Sequence, residues 1–461
     1  MRTQTCTITA VLFFIVLLAG GLRASAETNP ADLDPTFVPP NISGGPGGVR
    51  GIAVQPDGKV IIAGFFALSG VSNSQGLLRL NSNGTVDSSF QCEVFVGGGG
   101  RCVALQPDGK ILVGGNTFSA SGFFGWGLVR LNANGSLDRT FDPGVSVEPT
   151  VDALAVQPDG KILAGGGFDR GITRLNSDGA PDLTFDPGSG TNNDTVVDIA
   201  LQDDGKIVLV GGFDSVNGYT RDAIARLQPN GNVDSAFVAN NWLRLSWIRS
   251  VAVQHDGKIL IGGYFDRSSW NNASNDNIAR LNADGTVDTS FVGNASNYVE
   301  CVECDRFGRI LIGGWFTAVN GSSRNYIARL HPDGSLDQDF NTYTGPSYRV
   351  YAVSEQTDMR ILFGGDFQSV YGTTRRYVAR FLGGPAPSLS LPSVSISPKP
   401  NNIFELTHDS QPGFKYRLQK SQYLATWEDW GSPVRGTGIS QIWSVTMTAP
   451  QQFWRVVVEY E

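Results

Sequence analysis

The fold is decided by the stretch from Ile248 to Phe291, which reads IRSVAVQHDGKILIGGYF (248–265), then a polar insert, then NIARLNADGTVDTSF (277–291). The apolar run Ser250 to Val253 enters a turn at His255-Asp256-Gly257, and a second run, Lys258 to Phe265, leaves it. After the insert, Ile278 to Asn282 meets a second turn, Ala283-Asp284-Gly285, and a short strand ends at Phe291. Two successive hairpins predict a unit of four antiparallel strands. Both turns are three residues with Gly last, the pattern of a type I turn whose third residue is left-handed and forms a G1 bulge. Pro56, Pro107 and Pro158 fill the first turn position in other copies, where a fixed φ suits the turn.

Seven copies are marked by the last residue of the first turn: Gly58, Gly109, Gly160, Gly205, Gly257, Gly308 and, in a degenerate copy, Met359. A period of about 50 residues is that of propellers or solenoids, and four strands per unit favour a propeller blade. The second strand is apolar on both faces, as a strand between neighbouring sheets must be. Its Gly pair, for example Gly262 and Gly263, allows close backbone approach. The seventh copy stops at FLGGP (381–385) without a fourth strand, while ADLDPTF (31–37) near the chain start matches one. The expected fold is therefore all-β, a seven-bladed β-propeller closed by an N-terminal strand, since a ring leaves only short, protected edges.

Each copy also carries an Arg on its third strand and an Asp on its fourth: Arg79 with Asp87, Arg130 with Asp138, Arg174 with Asp182, Arg226 with Asp234, Arg280 with Asp288, Arg329 with Asp337, and Arg380 with Asp34. Across a three-residue loop these stand opposite one another, so an exposed pairing and register device is expected rather than a charged binding ring.

The pattern V-x-x-x-A-V-Q-P-D-G-K-I-L-x-G-G, followed by I-A-R-L-N-x-D-G-x-x-D-x-x-F, resembles the delta-60 repeat family of secreted and surface proteins of bacteria, over residues 31–382. The resemblance implies a β-propeller and an extracellular role, and brings no general catalytic motif. Departures are Asp203 for Pro, Phe307 for Asp with Arg309 for Lys, and Thr357-Asp358-Met359 in place of the last first turn.

Around the repeats, Met1 to Ala26 has a basic start at Arg2, an apolar run Val11 to Leu18 and Ala24-Ser25-Ala26, which predicts a cleaved secretory signal. The run is shorter than the roughly 20 residues of a membrane anchor. Residues 27–382 form the propeller, 383–400 a Pro/Ser/Gly-rich linker, and 401–461 a small C-terminal β domain. That last part resembles the β-sandwich modules of some secreted bacterial proteins, through Gly413-Phe414-Lys415-Tyr416, Ser421 and Thr426-Trp427.

Composition narrows the chemistry. A net charge of −8 with no basic run gives nucleic-acid binding no support. The three histidines, His255, His331 and His408, suggest no catalytic triad. Cys301 and Cys304 have an odd spacing that points them to opposite faces of a strand, so they read as core rather than a metal or redox pair. Cys92 and Cys102 bracket a Gly-rich loop and are candidates for a disulfide after export. The Asn/Asp-Gly turns lack the ligand spacing of a calcium loop. No cofactor or metal is expected.

The variable connections carry the functional signal. They hold Phe123, Phe124 and Trp126; Trp242, Arg244 and Trp247; Trp270 and Asn272; and Tyr343 and Tyr348. At the start of the inner strands, Arg50, Arg101, Asp152, Arg249 and Glu300 occupy equivalent positions, with Asp198 one residue further along, and these should ring the axial mouth. The expectation is a secreted or cell-surface, monomeric, non-catalytic protein that binds an extracellular glycan or protein through this face, with no membrane span after signal cleavage. The alternative is a metal-dependent lactonase or glycan-processing enzyme using Asp152, Asp198, Glu300 and Glu303, against which the interleaved arginines argue.

Overall fold

The computed structural model describes residues 29–43, 47–68, 76–120, 122–191, 194–239, 247–265, 277–385, 394–399, 403–421, 428–446 and 453–460. The expected signal segment and Trp242, Arg244, Trp270, Asn272 and Thr426-Trp427 lie outside these residues. Two compact units are present, one made of Thr28–Asp305 and Arg309–Pro385, the other containing Ala386–Glu461. No described helix is long and apolar enough to cross a membrane.

In the larger unit the described residues form seven three-stranded antiparallel sheets in chain order. Their inner strands are Val49–Val54, Phe95–Leu105, Val151–Val156, Val196–Leu201, Trp247–Val253, Val299–Cys304 and Val350–Glu355. Each inner strand touches the next, and the last returns to the first, so the sheets close a ring. The second strands are apolar because both faces are covered: every residue of Val60–Gly64 and Ile310–Gly314 is buried. The Gly pairs explain how closely the backbones pack. A Cβ on Gly263 would sit 2.3 Å from the Trp247 carbonyl oxygen, and one on Gly314 would sit 2.1 Å from that of Tyr298.

Ring closure uses the N-terminal segment. Leu33 bridges Phe381, and the Asp34 amide donates to the Arg380 carbonyl at 2.8 Å. The fourth strand is shorter than expected, in this sheet and the others, and amounts to one bridge such as Leu281 with Val287. The reason is local. Asp288 Oδ1 accepts from the Ser290 amide at 3.0 Å, and the Phe291 amide bonds the Asp288 carbonyl at 3.3 Å. The chain therefore curls away directly after the bridge and drops Phe291 into the core.

The Arg–Asp pairs form in all seven sheets, but they are buried, which corrects the expectation of exposed pairs. Nε to Oδ2 distances are 2.8 Å for Arg79–Asp87, 2.9 Å for Arg130–Asp138, 2.7 Å for Arg174–Asp182, 2.8 Å for Arg226–Asp234 and Arg280–Asp288, 2.6 Å for Arg329–Asp337 and 2.8 Å for Arg380–Asp34. Each Arg also lies over a Phe of its own repeat, from Phe37 to Phe340, at 4.5 to 5.0 Å from the ring centroid. Its Nη1 then donates to a carbonyl of the following sheet: Arg79 to Ala133 at 2.5 Å, Arg174 to Pro229 at 2.6 Å, Arg329 to Gly383 at 2.7 Å, and Arg380 round to Ser82 of the first sheet at 2.7 Å. Register device and inter-sheet latch are one structure. Buried charges of this kind persist only when their partners satisfy them.

The last first turn keeps its form although Gly is absent. The Met359 amide bonds the Gln356 carbonyl at 2.9 Å, and Met359 takes a φ of 69°. Turn Asp and Asn side chains cap their own turns, as Asp284 Oδ1 does for the Thr286 amide at 2.9 Å, which accounts for their abundance without a metal.

The smaller unit has one sheet of Val394–Lys399, Ile403–His408 and Gln441–Thr446, and a second of Phe414–Ser421 with Glu428–Asp429, Val434–Arg435 and Phe453–Tyr460. His408 of the first sheet reaches Tyr416 of the second, ring centroids 4.7 Å apart, so their apolar faces meet in a sandwich-like core. The His408 ring also stacks on Trp443 at 4.3 Å, and burial lowers its pKa. It is a core residue.

Candidate functional site

Every inner strand of the ring carries a register shift at one repeat position, between Val49 and Gly51 in the first, between Gly100 and Cys102 in the second and between Val350 and Ala352 in the last. The residues left unpaired by these seven bulges are Arg50, Arg101, Asp152, Val197, Arg249, Glu300 and Tyr351. A bulge re-aims its extra side chain, and here all seven line one cavity of about 430 Å³ at the axial mouth. Thr150, Thr195, Gly167 and Trp247 complete its wall.

Six of the ten residues expected to bind ligand therefore meet in one place: Arg50, Arg101, Asp152, Arg249, Glu300 and Trp247. Trp126 does not join them. It stands on the long hairpin of Ile111–Ala120 and Phe123–Leu131, 40% exposed, with Phe124 edge-on at 5.3 Å. The remaining three, Trp242, Arg244 and Trp270, are outside the described residues. Val197 and Tyr351 were missed because they carry no charge, yet aligning the bulge position across the repeats finds both.

Charges in the mouth are partly paired. Arg101 Nη1 lies 2.5 Å from Asp152 and its Nε donates to Asn116 at 2.9 Å. Arg249 Nε lies 3.8 Å from Glu300, and its guanidinium covers the Trp247 ring at 4.4 Å. Trp247 nevertheless keeps 49% of its surface exposed. Arg50 packs against two rings, 5.2 Å from Phe65 and 5.0 Å from Tyr351. Although Arg50 is exposed to the mouth, desolvation by the groups crowded round its guanidinium lowers its pKa, with Arg101 and Arg249 adding to the effect and Tyr351 and Glu300 opposing it. The group stays cationic all the same, as guanidinium does in proteins.

Asp198 and Glu303 do not point into this mouth. Asp198 occupies the slot of Ser250 and Cys301 in other sheets and serves the next strand: its Oδ2 accepts from Ser250 Oγ and from the Val251 amide, both at 2.9 Å. Burial raises its pKa to about 6. Glu303 sits where the other sheets have Ala53, Ala104, Ala155, Ala200, Ala252 and Ser354. It accepts from the Glu355 amide at 3.3 Å, and burial raises its pKa to about 8. The four carboxylates of the alternative enzyme reading are thus not brought to one point.

The four described cysteines, Cys92, Cys102, Cys301 and Cys304, are free thiols, so the disulfide expected between Cys92 and Cys102 is not formed. Cys92 packs between the first and second sheets and Cys102 between the second and third, which puts a sheet between them. Burial pushes the Cys92 thiol up to about 11. Cys301 and Cys304 also fall in different inter-sheet clusters, as their spacing implies.

Six segments, residues 55–90, 106–141, 157–185, 202–237, 254–291 and 308–340, match the family model described as "Domain of unknown function (DUF5122) beta-propeller". No curated protein matches the chain. Among solved structures, a gluconolactonase from Xanthomonas campestris is similar at 14% identity and a TM-score of 0.35, over 60% of this chain and 91% of that one. A glucose dehydrogenase is similar at 12% identity and a TM-score of 0.28, over 75% of this chain and all of that one. With matching segments in six of its repeats and its sheets joined in a ring, the chain is a repeat β-propeller protein.

Proposed function

We propose that this protein is an exported, non-catalytic binding platform of the delta-60 type, which holds a glycan or protein ligand at the axial mouth of its propeller. The observation that carries the reading is the crown of seven bulge residues, set at one repeat position by the pairing of the first and second strands and differing in chemistry from sheet to sheet. A rigid scaffold that presents varied side chains in one cavity is how binding sites are ordinarily built. The crown carboxylates stand beside guanidiniums, an environment that repels a catalytic cation rather than gathering one.

The platform reading is tested by screening the purified protein on glycan and peptide arrays, then repeating with Trp247→Ala. Reduced binding at unchanged melting temperature is expected, and binding that survives the substitution overturns the assignment of this mouth.

A further inference from the structure

We infer that the axial mouth takes a carboxylated sugar, its carboxylate held by Arg50 and its ring set against Trp247. This rests on the platform reading and names the ligand class. The charge count in the mouth is uneven, with three guanidiniums, Arg50, Arg101 and Arg249, against two carboxylates. Asp152 is engaged by Arg101 at 2.5 Å, and Glu300 stands 3.8 Å from Arg249. Arg50 has two aromatic neighbours and, among the described residues, no carboxylate within ion-pair distance. Packing on rings uses the faces of a guanidinium and leaves its in-plane N–H groups for a ligand. Donors exceed acceptors, so an occupant must bring acceptors and negative charge. A planar carboxylate matches the guanidinium fork.

The rest of the wall argues for a sugar bearing that carboxylate. A volume of about 430 Å³ exceeds what an isolated anion needs and falls within the roughly 300–1,000 Å³ of small-molecule sites. Trp247 is half exposed, and a pyranose presents a face of C–H groups to such a ring. Asp152 and Glu300 offer the acceptors that sugar hydroxyls require.

The test is isothermal titration of the full chain with galacturonate, glucuronate and their short oligomers, against galactose and glucose. Acidic sugars should bind at least about tenfold more tightly than neutral ones, and more weakly as salt rises. Arg50→Gln should weaken acidic-sugar binding by roughly 10- to 100-fold, the range for a hydrogen bond to a charged group, without lowering the melting temperature. Glu300→Gln should act in the opposite direction, because it frees Arg249, and raise the affinity for acidic sugars. Equal binding of neutral and acidic sugars, indifference to Arg50→Gln, or weaker binding in Glu300→Gln each overturns the inference. If neutral glycans bind and Trp247→Ala abolishes that binding, the platform reading stands while the carboxylate assignment fails. If neither sugars nor peptides bind the wild type, both fail.

Discussion

Two rings of charge run round the same seven sheets, and they follow opposite rules. In the latch, each sheet places an Arg on its third strand against an Asp eight residues on, or against Asp34 for the last, and every pair is buried. In the crown, the corresponding positions read Arg, Arg, Asp, Val, Arg, Glu and Tyr. The backbone fixes both places, one through hairpin register and the other through a bulge. In the latch a changed residue would strand a buried charge between two sheets, so the copies agree. The crown opens into a cavity, where solvent or a ligand satisfies whatever side chain stands there. Uniformity round a repeat ring marks what joins neighbours, and divergence marks what is left for recognition.

The contrast is tested most severely at the closing latch. Asp34→Ala removes the carboxylate from a buried Arg380 and loosens the N-terminal segment that shuts the ring. A loss of about 3–5 kcal/mol is expected from equilibrium denaturation, the usual cost of breaking a buried pair from one side. A loss under about 1 kcal/mol would mean that the latches behave as surface pairs do.

Acid should reach four of the latches together. Burial works against ionisation of Asp87, yet the Ser89 hydroxyl, Lys59 and Arg79 outweigh it and hold the carboxyl well below its usual pKa, and Asp138, Asp182 and Asp288 are held the same way. A lowered folded-state pKa contributes stability that is present above the unfolded value, about 3.9, and is lost as pH falls below it. The melting temperature should therefore drop steeply below about pH 4. Arg50→Gln should leave that acid limb unmoved.

Much of this was legible in the sequence, because turn chemistry and period are local signals. The two Gly-ending turns, the repeat period, and the missing strand supplied by Ala31 to Phe37 determine the ring. Latch partners could be paired from their spacing, but their burial could not, since it depends on the following sheet, whose carbonyls take Nη1. The crown was partly visible: its charged members share a repeat position, whereas Val197 and Tyr351 become members only when the bulge shows that the position itself faces the mouth. The Cys92–Cys102 expectation failed because closeness in sequence does not reveal the intervening sheet.

Smaller effects sharpen the comparison from the scaffold side. Glu303 keeps its proton to about pH 8 in the fold but would release it near 4.5 when unfolded, so it favours folding less and less as pH rises between those values. Glu303→Ala installs the residue found in five other sheets, and at pH 8 it should raise the melting temperature by on the order of a few degrees. Its advantage over wild type should shrink toward pH 5. A difference that does not vary with pH would show that packing, not ionisation, separates the two. Met359→Gly should add about 1 kcal/mol, because a left-handed φ of 69° is costly for a residue with a side chain and free for glycine.

The smallest shift expected is for Arg50→Gln, and it is the most informative because Arg50 and Arg380 are the same residue type in the two different rings. Arg380 is buried, bonded to Asp34 and to the Ser82 carbonyl of the next sheet, so its charge is part of what holds two sheets together. Arg50 is exposed in the mouth, with rings beside it and no ion-pair partner among the described residues. Its loss should change unfolding free energy by no more than about 0.5 kcal/mol, as for a surface substitution remote from any buried network. If chemical denaturation instead shows a loss approaching that of Asp34→Ala, the crown belongs to the scaffold, its diversity has another cause, and the division between a ring that holds and a ring that recognises collapses.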